Sequence, residues 1–198
     1  MPTVRTFLSF DPPPAIAAHL SAFQHALRPA LGDVSWVRPE QFHSTITFLG
    51  DIDESLLPAL LREVAAAARR AVPFGISYEG LGVFPDLPHA QVLWVGCVNA
   101  DGRLADLKES LDAAVRRSGV ELTAQSFRPH LTLGRIRTPR GARDLIPMWE
   151  SLTLEPRKTT IDEIHVMKST LSPQGAHHSV LAANPLHSSE ASAQHDRT

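Results

Sequence analysis

The chain has 198 residues, 43% apolar and 20% charged, with 19 basic against 21 acidic side chains and a formal net charge of -2. That length holds one sizeable domain or two small lobes, and the charge balance excludes the strongly basic surface that coats a long nucleic acid, leaving room only for a local patch that binds a nucleic-acid end or a small nucleotide. The single cysteine, Cys97, excludes an internal disulfide and a Cys-based zinc site; its apolar run Val92–Val98 reads as a buried thiol.

From the N-terminus, Thr6–Phe10 reads as a first strand, and Asp11 is expected to cap a helix with Pro12 near its first turn. Asp11 and Pro12–Pro14 also interrupt any signal-peptide core, and no stretch of about 18 uninterrupted apolar residues follows, so a cytoplasmic location without membrane contact is expected. Ile16, Leu20, Phe23 and Leu27 form one helical face. A short strand (Val34–Val37) leads to a strand that starts after Pro39 and ends at Gly50. A second helix begins at Asp51 or Asp53, with the stripe Leu57, Leu60, Leu61, Val64 and Ala68 and with Arg69 and Arg70 in its last turn. Ile76–Val83 and Gln91–Val98 read as strands, and Leu104, Leu107, Leu111 and Val115 mark a third helix closed by Gly119. A strand near 130–137, a weaker helix near 141–152 and strands near 159–170 and 177–183 complete the ordered part, residues 1–187. The residues from Ser188 onward lack apolar anchors and read as a disordered tail.

Two segments repeat one text: His43-Ser44-Thr45-Ile46 and His130-Leu131-Thr132-Leu133. Residues two apart on a strand share a face, so His43 pairs with Thr45 and His130 with Thr132. The two histidines lie 87 positions apart, and the same offset carries Phe7 onto Trp94 and the first helix onto the third. Strand, helix, short strand and His-x-Thr strand thus recur in order. This period is too long for a solenoid and fits two related α+β lobes, each supplying one histidine strand.

Two imidazoles and two hydroxyls converging on one cleft suit phosphodiester cleavage. Histidine is present in both protonation states near neutrality and serves as base or acid, while Thr45 and Thr132 would donate to non-bridging phosphate oxygens. An arginine would complete the grip. Arg128 has the parity of His130 but is separated from it by Pro129; Arg135 has the opposite parity unless Gly134 introduces a bulge. Phe7 and Trp94 either line the cleft and stack a base or pack on the strand faces. His19 and His25 are six apart on a helix, and no His-Glu-x-x-His appears, so no metal and no cofactor is expected.

The segments Trp36–Gly50 and Phe127–Arg135 resemble the 2H phosphoesterases, named for paired His-x-Thr-x motifs, and within them the RNA 2′,3′-cyclic phosphodiesterase, or 2′-5′ RNA ligase-like, branch. Gly80–Pro85, Leu93–Gly96 and Lys168–Gly175 also look like family segments. The resemblance implies an α+β fold of two pseudo-symmetric lobes around a central cleft, each an antiparallel sheet with helices on its outer face. It implies hydrolysis of RNA 2′,3′-cyclic phosphate ends to 2′-phosphomonoesters, with reversible 2′-5′ ligation open. His43 would be the proton donor and His130 the proton acceptor, with Thr45, Thr132 and Arg135 on the phosphate. The implied partner is RNA with a cyclic phosphate end, with no obligatory protein partner. His178 departs from the pattern, which places a tyrosine there. The alternatives are a phosphodiesterase for small cyclic nucleotides or 2′-5′ oligonucleotides, a non-catalytic RNA-end binding module and, more distantly, a metallohydrolase.

Overall fold

The two motif strands, β3 (Ser44–Asp53) and β6 (His130–Ile136), are neighbours at the centre of one sheet. The computed structural model describes residues 2–123, 126–172 and 175–187. In chain order the remaining elements are β1 (Thr3–Phe10), α1 (Pro14–Leu27), β2 (Val34–Trp36), α2 (Leu57–Ala68), β4 (Phe74–Phe84), β5 (Val92–Val98), α3 (Arg103–Arg117), α4 (Pro139–Leu145), β7 (Arg157–Ile161), β8 (Glu163–Ser172) and β9 (Gly175–Pro185). The antiparallel sheet runs β7-β4-β5-β6-β3-β1-β8-β9, and β2 adds to β6. Its two halves meet at a single register pair, Ser44 with Leu131, and both side chains are completely buried. The mixed fold with two half-sheets is the architecture expected of the sequence.

Apolar periodicity explains the helices. α2 buries Leu60, Val64, Ala67 and Ala68, and α3 buries Leu104, Leu107, Leu111, Ala114 and Val115. Each fully buried Leu or Val contributes about 1.5–3 kcal/mol. These two helices pack on each other, and α2 also lies against β8 and β9. Gly119, with φ of +91°, stops α3 as expected. No helix among the described residues is long and apolar enough to cross a membrane.

Several local expectations are corrected. Asp11 does not cap α1: the cap residue is Pro13, with Pro14 in the first turn. Proline offers no N–H for a carboxylate to satisfy, and Asp11 instead faces His165. Phe23 is half-buried and packs against the core, while Gln24 joins Ile16, Leu20 and Leu27 as the most deeply buried residues of α1. Gly50 does not end β3; its φ of +74° accompanies a bulge at Leu49, and the strand continues to Asp53. Asp53 accepts from the Ser55 N–H at 2.9 Å and caps a 3-10 turn ahead of α2. The helix near 141–152 divides into α4 and a 3-10 stretch, Ile146–Ser151. The single strand expected near 159–170 is two: β7 pairs with β4 and β8 with β1, so the chain crosses between half-sheets at Asp162. The second half also lacks its short strand, since residues 121–123 form none. The expected tail from Ser188 lies outside the described residues.

Candidate active site

Because Ser44 and Leu131 point into the core, their neighbours on either side point to the opposite face. Antiparallel register then sets His43 beside Thr132 and Thr45 beside His130, a diagonal arrangement about the seam. All four side chains are partly exposed. The two motifs therefore meet from separate halves of the chain.

Each histidine is held in the same way. His43 Nδ1 donates to the Gln41 carbonyl at 2.8 Å, and His130 Nδ1 donates to the Arg128 carbonyl at 2.6 Å. A carbonyl can only accept, so both Nδ1 atoms carry the proton, and Nε2 is left in each ring to take or give one. The surrounding rings also match. His43 has Phe7 tilted beside it at 5.1 Å and His178 edge-on at 5.0 Å; His130 has Trp94 tilted at 5.7 Å and Phe84 edge-on at 5.0 Å. Phe7 and Trp94, the pair related by 87 positions, thus occupy equivalent places beside the two histidines. Phe7 is 3% exposed, which makes it a wall of the site rather than an open stacking surface.

Arg135 reaches the motif face through a bulge. Leu93 pairs with Gly134 and Trp94 with Thr132, so Leu133 is the extra residue. Downstream parity inverts, and Arg135, opposite Val92, comes to the face of Trp94 and Thr132. The bulge has a support that sequence reasoning missed: buried Gln24 on α1 donates to the Leu133 carbonyl at 2.7 Å and to the Val37 carbonyl at 2.8 Å. Gly134 permits β2 to close in, since a Cβ there would stand 2.5 Å from Val34 Cγ1. Arg128, the other arginine candidate, contributes its carbonyl to His130 and lies on the wall of a cavity that Thr45 and His130 also line.

Burial is the main influence on His43, lowering its pKa; the Gln41 carbonyl and Asp11 oppose this, while the charges of Arg135 and His130 add to it. His178 is pushed down to about 4, first by burial and then by His43, His177 and Arg135, so it is neutral near pH 7. His165 behaves oppositely. Asp11 at 3.2 Å and Glu163 at 2.7 Å hold it charged and push it up to about 9, with Asp11 the larger cause. His165 is opposite Ser9 on β8, and Ser9 is opposite Thr45, which puts this charged cluster on the motif face. A histidine two residues after an acidic residue was the only sequence signal for it. Behind the seam, Cys97 is buried with its Sγ 3.1 Å from Ser44 Oγ, and its thiol is pushed up to about 12 by burial, as a structural cysteine would be. Among the described residues no three His, Cys, Asp or Glu side chains are grouped as metal ligands.

The sequence profile of the 2′-5′ RNA ligase superfamily matches residues 12–172. A Methanothermobacter thermautotrophicus protein named RNA 2′,3′-cyclic phosphodiesterase is 34% identical over 87% of this chain and 93% of its own length. An Aquifex aeolicus protein of the same name is 30% identical, covering 74% of this chain and 78% of its own. A crystal structure from Thermus thermophilus superposes with a TM-score of 0.77 at 25% identity, over 93% of this chain and 99% of the other. The apo structure of Escherichia coli LigT has the same fold, with a TM-score of 0.74 at 20% identity over 94% and 99% of the two chains. A profile match across most of the chain, together with paired histidine motifs meeting at one seam, leads to one assignment: the chain belongs to the 2′-5′ RNA ligase superfamily.

Proposed function

We propose that this protein hydrolyses RNA 2′,3′-cyclic phosphate ends to 2′-phosphomonoesters, using His43 and His130 as the acid and base. The observation that supports it most is the matched pair of imidazoles, each with Nδ1 fixed on a backbone carbonyl and Nε2 available. The names carried by the relatives supply the substrate class. His130 Nε2 takes a proton from water as the oxygen attacks phosphorus; the bond from phosphorus to the ribose 3′ oxygen breaks, and His43 Nε2 protonates that oxygen. Thr45 and Thr132 donate to the non-bridging oxygens, and Arg135 offsets their charge. The lowered proton affinity of His43 in the free protein is compatible with the donor role, because a bound phosphate anion favours the imidazolium. Because each half contributes one motif, residues 1–187 act as one bilobal unit.

The test is to incubate the protein with RNA ending in a 2′,3′-cyclic phosphate, with a chelator present, and to identify the terminus. A 2′-phosphate is expected, with turnover falling about 10²–10⁴-fold in His43→Ala and in His130→Ala. A 3′-phosphate product, or near wild-type turnover in either variant, overturns the reading; tight binding without product favours an RNA-end binding module.

A further inference from the structure

The half-sheet that begins with β3 opens between two of its strands. β1 pairs with β3 from Thr3 to Phe10, but with β8 only from Thr6 to Ser9. Beyond the Thr6–Lys168 pair, β1 stays with β3 while β8 stays with β9 as far as Ser172. The two strands therefore part, and Thr3–Arg5 and Ser169–Thr170 border a cavity of about 300 Å³ between them.

Its lining suits a phosphate. Arg5 and Lys168 bring two positive charges, and Thr3, Ser169 and Thr170 bring three hydroxyls, the side chains that hold backbone phosphates in protein–nucleic acid contacts. The acidic residue present, Asp51, is the register partner of Arg5, with Oδ2 3.5 Å from Nη1 and both side chains exposed. An exposed pair of this kind is weak, and the guanidinium keeps further N–H donors for a ligand. The cavity also lies on a route away from His43. Arg5, Phe7 and Ser9 alternate onto one face of β1, and Ser9 is opposite Thr45. Phe7 stands 5.1 Å from the His43 ring, and Arg5 comes two residues later, about 7 Å along the strand. On the other bank, Ser169 is the register partner of His178, whose ring is 5.0 Å from that of His43.

The chemistry sets the direction of the chain. When His43 protonates the ribose 3′ oxygen, the terminal ribose lies on the His43 side of phosphorus, and the attacking water lies in line on the His130 side. The RNA leaves that ribose through its 5′ oxygen, and so passes over the half-sheet of β1 and β8. We propose that the cavity between β1 and β8 is a subsite for the internucleotide phosphate on the 5′ side of the terminal nucleotide, held by Arg5 and Lys168. The substrate is then the end of a chain in preference to a cyclic mononucleotide, which has no phosphate to place there. The proposal rests on the functional reading above, with His43 as the acid.

The test measures kcat/KM for three substrates: a nucleoside 2′,3′-cyclic phosphate, a dinucleotide ending in the same cyclic phosphate, and that dinucleotide with an uncharged methylphosphonate linkage. Wild-type protein is expected to favour the charged dinucleotide over the mononucleotide by about tenfold or more, the yield of one charge-assisted contact. The methylphosphonate dinucleotide is expected to lose most of that advantage. In Lys168→Glu the advantage is expected to fall about tenfold, chiefly through KM, while Lys158→Glu, exposed on β7, keeps it. A loss of folded protein lowers all three rates alike and cancels in the ratios. Equal use of dinucleotide and mononucleotide, a methylphosphonate dinucleotide as good as the charged one, or an undiminished preference in Lys168→Glu overturns the subsite and leaves the hydrolytic reading standing. Cyclic phosphates left intact in all three substrates by the wild-type protein overturn the hydrolytic reading, and the subsite with it.

Discussion

The indole of Trp94 lies across the bare Cα of Gly82 on the adjacent strand. The two residues are register partners, and a Cβ at position 82 would fall 2.0 Å from Cζ2 of the ring. Trp94 in turn stands beside His130. The obstacle is a side chain rather than backbone, so Gly82→Ala is expected to fold with the indole displaced, at a cost of about 1–3 kcal/mol. Turnover should fall about tenfold or more, with an altered tryptophan emission spectrum; unchanged turnover together with unchanged emission would show that Trp94 does not position His130.

His43 should titrate below the ordinary histidine value in the free protein, since burial opposes its charged form. Added inorganic phosphate should move the midpoint upward, because an anion beside the ring favours the imidazolium. Proton NMR of the ring, assigned with His43→Ala, measures both. A midpoint above 6.5 without phosphate, or a downward move with it, contradicts the electrostatics described.

Arg135 reaches the site as a planar fork, which a lysine does not reproduce. Arg135→Ala should lower kcat/KM by about 10²–10³-fold, and Arg135→Lys should recover only part of this, chiefly in KM. Full recovery by lysine would mean that charge alone is required there.

Gln24→Leu removes one buried and one partly buried hydrogen bond and leaves the Leu133 and Val37 carbonyls without this donor. A loss of about 1–3 kcal/mol in urea unfolding is expected. A fall in kcat/KM should accompany it, because the bulge that aims Arg135 loses its support. A stability loss with unchanged kinetics would separate the bulge from the site.

Stability should depend on pH through His165 and His178 in opposite directions. The folded-state pKa of His165 is raised to about 9, so its contribution is complete below about 6.5 and disappears as pH rises toward 9. The half-exposed carboxylates of Asp11 and Glu163 limit it to about 1–2 kcal/mol. His178 is lowered to about 4, so stability is lost as pH falls from about 6.5 toward 4. Melting temperatures of wild type and His165→Gln should converge as pH rises from 6.5 to 9; a constant difference across that window would show that His165 is not held charged.

The sequence alone determined the parts that depend on local periodicity. A period of two puts each histidine on a face with its threonine, a period near four fixes the buried stripes of α2 and α3, and an 87-residue offset relates Phe7 to Trp94. Tertiary structure decided what depends on pairing between distant strands. The face on which Arg135 lies turns on one extra residue, Leu133, which is visible only in the register of β6 against β5 and is held by a glutamine on α1 more than 100 positions away. Asp11 looked like a helix cap because capping is a local rule, yet its partner His165 comes from the far end of the chain. The split of 159–170 into strands of different half-sheets, and the cavity where β1 and β8 part, have the same origin. Side-chain alternation is written residue by residue along the chain, whereas register is set only when two strands meet.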